Sequence, residues 1–116
     1  MIEPMDRSAG KILGYVVSGD VTNGDYQTLV PAVEAAVEEH ATVSLLFDLT
    51  GFRWEKVSAW GADLGFGEKF HDSIGKMAIV GDKKWERHLA QLAQPYYAKE
   101  SRFFETTADA WTWLES

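Results

Sequence analysis

An acid and a hydroxyl that could do chemistry follow an apolar run near the middle of the chain. Asp48 and Thr50, with Gly51 after them, come directly behind residues 42–47, a run that is apolar in its middle. The run is typical of a buried strand, and ligands of α/β proteins are met at the carboxyl ends of strands. Asp48 could therefore act as a general base or contact a ligand or partner, and Thr50 could accept phosphate.

The same residues also have structural interpretations. The Asp48 carboxylate could cap the following turn by accepting hydrogen bonds from backbone N–H groups. Thr50 could be a turn hydroxyl. Ser58, a second candidate for phosphorylation, could instead stand at the start of the next helix.

A catalytic or metal site is not indicated. His40, His71 and His88 are widely separated, whereas a helix-borne metal site needs two histidines one turn apart with an acid nearby. The chain has no cysteine. A hydrolase or lyase that uses Asp48 with His71 is conceivable, but nothing in the sequence brings them together. We expect no catalytic residue, no metal and no cofactor.

Aromatic residues crowd the segment after Asp48, at Phe52, Trp54, Trp60, Phe66 and Phe70. They could line a pocket, anchor an interface or fill the core. Helical spacing to Leu64 favours the core for Trp60, while Trp54 is expected in a loop, at a pocket rim or partner surface. Tyr96 and Tyr97, beside Pro95, are similar candidates. A pocket under a glycine-bearing helix here would make the chain a small carrier of an apolar ligand.

Strands and helices alternate along the chain. Apolar periodicity and capping residues predict strands at 12–19, 42–48, 76–81 and 102–105, and helices from Thr22 to about Glu39, at 56–71, at 83–94 and from a Thr107 cap onward. Thr22 with Asp25 is expected to cap the first helix, and His40 stands at its end. The first helix has an apolar stripe at Tyr26, Leu29, Val30, Val33 and Val37, and on the last helix Ala110, Trp111 and Leu114 are expected to face inward. A short strand before a turn at residues 9–10 could pair with the strand at 12–19. This order predicts one α/β domain over residues 1–116, with a mixed or parallel sheet and right-handed crossovers.

Composition excludes several classes of function. The 116 residues carry a net charge of −7 and no basic cluster, so binding to nucleic acid or to anionic membrane surfaces is not expected. No apolar stretch is long enough to span a membrane, and the N-terminus does not resemble a signal peptide. We therefore expect a cytoplasmic protein.

Four short motifs resemble the SpoIIAA-like group of small proteins, which is related to the STAS (sulfate transporter and anti-sigma-factor antagonist) fold. They are residues 47–54, residues 79–85, residues 102–104 and residues 110–114. The resemblance implies a four- or five-stranded mixed sheet with helices mainly on one face. It also implies a non-catalytic binding or regulatory module.

One motif departs from that family pattern. In anti-sigma-factor antagonists the helix after the central strand opens with an Asp-Ser-Ser-Gly-type motif whose serine is phosphorylated. The comparable residues 55–61 retain Ser58 but not the acid or the tight turn, so the phosphorylation switch is not expected here. We predict that Asp48, Thr50, Trp54, Ser58 and Trp60 bind a protein partner, a second copy in a homodimer or a small ligand.

Overall fold

The computed structural model describes residues 1–5, 10–55, 69–70, 72–81 and 99–116, with the backbone alone described at residues 23 and 52–55. The elements follow in the order β1 (Ile2–Pro4), β2 (Ile12–Val21), α1 (Asn23–His40), β3 (Val43–Glu55), β4 (Ile74–Val80), β5 (Glu100–Phe104) and α2 (Thr107–Leu114). The helices expected at 56–71 and 83–94 lie outside the described residues, apart from Lys69 and Phe70, whose backbone is helical.

The strands form one five-stranded sheet in the order β1-β2-β3-β4-β5. β1 is antiparallel to β2, and the other neighbouring pairs are parallel. The predicted mixed sheet is therefore confirmed, and so is the short strand before residue 12. Gly10 lies between β1 and β2 with a φ of +60°, a conformation that suits glycine in the predicted turn.

One face of the sheet packs against α1. Leu29 and Val33 of the helix are buried against Leu45 and Leu49 of β3 and Ile79 of β4. The predicted apolar stripe of α1 is confirmed, and the helix continues through Pro31 on its exposed side. Tyr15 and Phe47 stack on this face with ring centroids 5.9 Å apart.

The opposite face packs against α2. Ala110, Trp111 and Leu114, which the sequence predicted to face inward, are buried in one cluster with Leu46, Ala78 and Val80. Alternate residues of β3 are thus buried on opposite faces of the sheet, which explains why the first half of this strand is apolar almost throughout. Each of the two helices in the described residues covers a different face, and the remaining expected helices lie outside them.

The closing helix begins one residue away from the predicted cap. Thr107 is the first helical residue of α2, and Thr106 is the N-cap, whose Oγ1 accepts a hydrogen bond from the Asp109 backbone N–H at 3.2 Å. The two adjacent threonines make the position of the cap ambiguous in sequence. The hydrogen bond to the third helical residue shows which of them is the N-cap.

Thr22 and Asp25 stabilise the start of α1 as predicted. Asp25 Oδ2 accepts hydrogen bonds from the Thr22 backbone N–H at 2.8 Å and from the Thr22 hydroxyl at 3.2 Å. The amino group of Met1 lies 3.6 Å from the same oxygen. Burial acts to raise the pKa of Asp25, but the hydrogen bonds from Thr22 and the charge of that amino group lower it below its ordinary value.

Asp25→Asn should lower the free energy of unfolding near neutral pH by about 1 kcal/mol, because it removes the charged acceptor of a helix cap. A carboxylate with a lowered folded-state pKa stabilises the protein above its ordinary pKa, and that stability is lost as pH falls through the lowered value. The difference between wild type and variant in urea unfolding should therefore shrink on acidification. Glu38→Gln, on the exposed side of α1, is the control. A gap that stays constant from neutral to acid pH would contradict the assignment.

Candidate functional site

Asp48 does not end its strand, which corrects the predicted boundary at residue 48. β3 continues to Glu55 because β2, which runs to Val21, supplies a pairing partner for the additional residues. Asp48 lies opposite Val80, the last residue of β4. Beyond Asp48, β3 pairs with β2 alone among the described strands. Asp48 therefore marks the level at which the neighbouring strand, β4, ends.

A β-bulge places Asp48 and Thr50 in contact. Val16 is paired with Asp48 and Ser18 with Gly51, so Leu49 and Thr50 together oppose a single residue of β2. The Thr50 backbone N–H and hydroxyl both donate to Asp48 Oδ1, at 3.0 and 2.7 Å. Asp48 thus makes the local backbone contact that its structural interpretation predicted, although within a strand rather than in a turn. Bulges of this kind recur beside functional sites because they redirect side chains.

Trp54 lies in β3 and not in a loop, which corrects a second expectation. A further shift in register brings Gly19 opposite Phe52 and Asp20 opposite Trp54, so Arg53 is an additional residue in β3. Because Trp54 lies outside any helical period, the sequence by itself favours a loop at this position. Strand pairing with β2, which is not local in sequence, determines the actual structure.

The other predicted aromatic and polar candidates divide into two groups. Phe70 is 2% exposed and belongs to the core beneath α1, so the core interpretation holds for this residue. Ser58, Trp60, Phe66, His71, His88, Tyr96 and Tyr97 lie outside the described residues. The described structure thus brings Asp48 and Thr50 together. The conceivable pair of Asp48 with His71 lies outside it, because His71 is not among the described residues.

Three residues that the sequence did not single out lie on the same face as Asp48. Glu3, Val16 and Asp48 are in register across β1, β2 and β3, and residues in register point to one face of a sheet. Met1 precedes β1, but it exchanges backbone hydrogen bonds with Ser18, two residues after Val16, and so continues the pairing on the same face. We call Met1, Glu3, Val16, Asp48 and Thr50 the sheet-end patch.

The sheet-end patch contains unusual apolar exposure. Met1 and Val16 are 55% and 37% exposed, and they are the two exposed large hydrophobic side chains of the described residues. The neighbouring row of the same face, at Gly14, Leu46 and Ala78, is buried next to α2. Strand alternation could have predicted the exposure of Val16, since its neighbours Tyr15 and Val17 are both buried. The position of Glu3 could not be predicted in this way, because it depends on the register between β1 and β2.

In the described part of the chain, no helix is long and apolar enough to cross a membrane. No group of three or more histidine, aspartate or glutamate side chains within residues 1–5, 10–55, 69–70, 72–81 and 99–116 could hold a metal ion. His40, in the last turn of α1 as predicted, has its Nε2 3.8 Å from a carboxylate oxygen of Glu39.

Sequence comparison assigns the chain to a family. The family model of SpoIIAA-like proteins matches residues 12–115. The chain belongs to the SpoIIAA-like family. The match confirms the resemblance inferred from the short motifs, and it covers β2 through α2. A comparison with curated proteins found no match.

Solved structures with the same fold support this assignment. An uncharacterised protein of the DUF3478 family from Shewanella loihica PV-4, described as having a SpoIIAA-like fold, is 26% identical, with a TM-score of 0.82 over 98% of this chain and 92% of that chain. The anti-sigma factor antagonist SpoIIAA in its unphosphorylated form is 10% identical, with a TM-score of 0.70 over 100% of this chain and 99% of that chain. At 10% identity the second likeness concerns the fold alone.

Proposed function

We propose that this SpoIIAA-like protein is a non-catalytic binding or regulatory module that contacts a protein partner through the bulged end of the β2–β3 pair. The observation that carries the proposal is the sheet-end patch, where exposed Val16 pairs with Asp48 at the bulge and exposed Met1 lies on the other side of β2, next to Ser18. Clustered apolar exposure at the end of a rigid sheet is typical of a protein interaction site. Trp54, Ser58 and Trp60 remain predicted members of the same surface, and we expect it to work in the cytoplasm.

A phosphorylation switch at Thr50 is disfavoured by its local contact. The Thr50 hydroxyl donates to Asp48 Oδ1 at 2.7 Å. A phosphate on that oxygen would bring nearly two negative charges next to a carboxylate. This supports a surface that binds in its unmodified form, in agreement with the missing Asp-Ser-Ser-Gly-type motif.

A second copy of the chain is the competing occupant of the surface. A symmetric dimer uses the same patch on both subunits, so a dimer centred on Val16 would bring the carboxylates of Glu3 and Asp48 close to those of the other copy. Like charges across an interface disfavour association. We therefore favour a different protein as the partner over a homodimer through this patch. The alternative of an apolar-ligand carrier depends on residues 56–71, of which Phe70 is packed in the core.

Photo-cross-linking tests the proposal directly. A photoreactive amino acid replaces Thr50 in the protein expressed in its source organism, and in a control it replaces Ala35, which is exposed on α1. We expect a discrete cross-linked protein from position 50 that is absent from position 35. Equal or no cross-linking from the two positions would overturn the proposed function, and a product of twice the mass of the chain would identify the homodimer.

Trp54→Ala should reduce the cross-linking yield from position 50 severalfold while leaving the domain folded, because large aromatic side chains dominate binding energy at interfaces. Yield on denaturing gels and the midpoint of thermal unfolding are the two measurements. A drop in the unfolding midpoint with an unchanged yield would show that Trp54 belongs to the core instead of the interface.

A further inference from the structure

The charge pattern of the sheet-end patch points to the chemistry of its occupant. Exposed Val16 is paired with Glu3 on one side and with Asp48 on the other. Adjacent strands are about 4.8 Å apart, so the two acidic residues stand about 10 Å apart with an apolar side chain between them. Neither carboxylate has a cationic partner among the described residues.

Among the described residues, the bulge engages only one oxygen of the Asp48 carboxylate. Both hydrogen bonds from Thr50 go to Oδ1, and no described residue donates to Oδ2. Asp48 is half-buried and Glu3 is exposed. A donor that lies over Val16 would stand between the carboxylates of Asp48 and Glu3, with the Thr50 hydrogen bonds to Oδ1 left in place.

We propose that the partner inserts a lysine or arginine here, within a basic segment that also carries apolar side chains. The aliphatic stem of the cationic residue packs on Val16, and its charged group lies between Glu3 and Asp48. Long cationic side chains combine an apolar stem with a charged end in this way. The inference rests on the proposed protein-binding function and specifies the partner's chemistry.

Overall charge favours the same occupant. The chain has a net charge of −7, so a basic partner is attracted from a distance and associates faster. An acidic or neutral segment would leave the two carboxylates desolvated without a counter-charge, which is costly. A second copy of this chain would carry the same acidic residues to the interface.

Peptide binding provides the test. The probes are a fluorescein-labelled dodecapeptide of alternating lysine and valine and a matched peptide with glutamate in place of lysine, followed by fluorescence anisotropy at low ionic strength. We expect the purified protein to bind the lysine peptide and not the glutamate peptide, with affinity falling as salt is added. The double variant Glu3→Gln, Asp48→Asn should bind about three- to tenfold more weakly.

Matched variants distinguish the effect of the sheet-end patch on binding from the effect of the overall negative charge. Asn at position 48 keeps an oxygen acceptor for Thr50, so the bulge should survive. Glu38→Gln with Glu39→Gln removes two charges from the end of α1 and should leave affinity nearly unchanged, while Val16→Thr should weaken binding by loss of the apolar contact alone. Equal losses in the two double variants, or no binding by the wild-type protein, would overturn the proposal.

The two proposals fail differently. If cross-linking from position 50 captures a partner whose yield is unaffected by Glu3→Gln with Asp48→Asn, the basic-segment inference is wrong and the protein-binding function stands. If no partner is captured, the proposed function itself fails, whatever the peptides do.

Discussion

Trp111→Ala is expected to destabilise the protein by about 3–5 kcal/mol, a large part of the total stability of a domain of this size. Trp111 is 4% exposed and belongs to the cluster with Leu46, Ala78 and Val80 that joins α2 to the sheet. Its removal leaves a cavity that the sheet cannot close, because a sheet is held in register by its hydrogen bonds. Urea unfolding followed by circular dichroism measures the loss.

Trp113→Ala is the matched control, since it deletes the same side chain two residues along α2. Trp113 is half-buried; its ring lies 5.5 Å from Phe104 and within 5.2 and 5.6 Å of the cationic groups of Lys76 and Arg102. Such partly exposed aromatic and cation–π contacts stabilise by about 1–2 kcal/mol in all. Equal losses for the two variants would show that Trp111 is not the anchor of α2.

The sequence predicted well the features that depend on neighbouring residues. The Thr22–Asp25 cap and the apolar stripe of α1 involve contacts within one or two helical turns, so spacing alone revealed them. The buried face of α2 was predicted for the same reason. The alternation of elements predicted a mixed or parallel sheet and the family resemblance four or five strands, and the structure has a mixed sheet of five.

The features that depend on strand register were not predictable in the same way. Asp48, Thr50 and Gly51 are residues typical of a turn, and only the extension of β2 to Val21 keeps them in a strand. The partnership of Glu3 with Val16 depends on a pairing across 13 positions of sequence. Composition and periodicity carry no information about which residues lie opposite each other, so the sheet-end patch emerged only from the structure.

Packing of α2 explains why the patch is exposed at all. Trp111 lies over Gly14, one row below Val16 on the same face of β2. The helix therefore covers the row of Gly14, Leu46 and Ala78. In the next row Val80 is buried in the same cluster, whereas Val16 is 37% exposed. The position of a single glycine thus links the stability of the domain to the surface that we propose for binding.

Gly14→Ala is expected to lower the free energy of unfolding by about 1–3 kcal/mol through overpacking. A Cβ atom at this position would lie 2.7 Å from Trp111 Cζ2 and 2.9 Å from Met5 Sδ, closer than real Cβ contacts allow. The Met5 side chain is flexible and can move, but the indole is enclosed between α2 and the sheet. The alanine must therefore displace α2, strain the Trp111 rotamer or distort β2.

A double-mutant cycle with Trp111→Phe isolates that clash. Phenylalanine lacks the part of the indole that a new Cβ would contact, so Gly14→Ala should cost at least about 1 kcal/mol less in the Trp111→Phe background than in the wild type. Gly51→Ala is the control in a neighbouring strand, where the nearest atom to a new Cβ is Ser18 Cβ at 3.4 Å, and it should be nearly neutral. If the two glycine substitutions are equally costly, or if the Trp111→Phe background gives no relief, close packing of Trp111 does not explain the glycine at position 14.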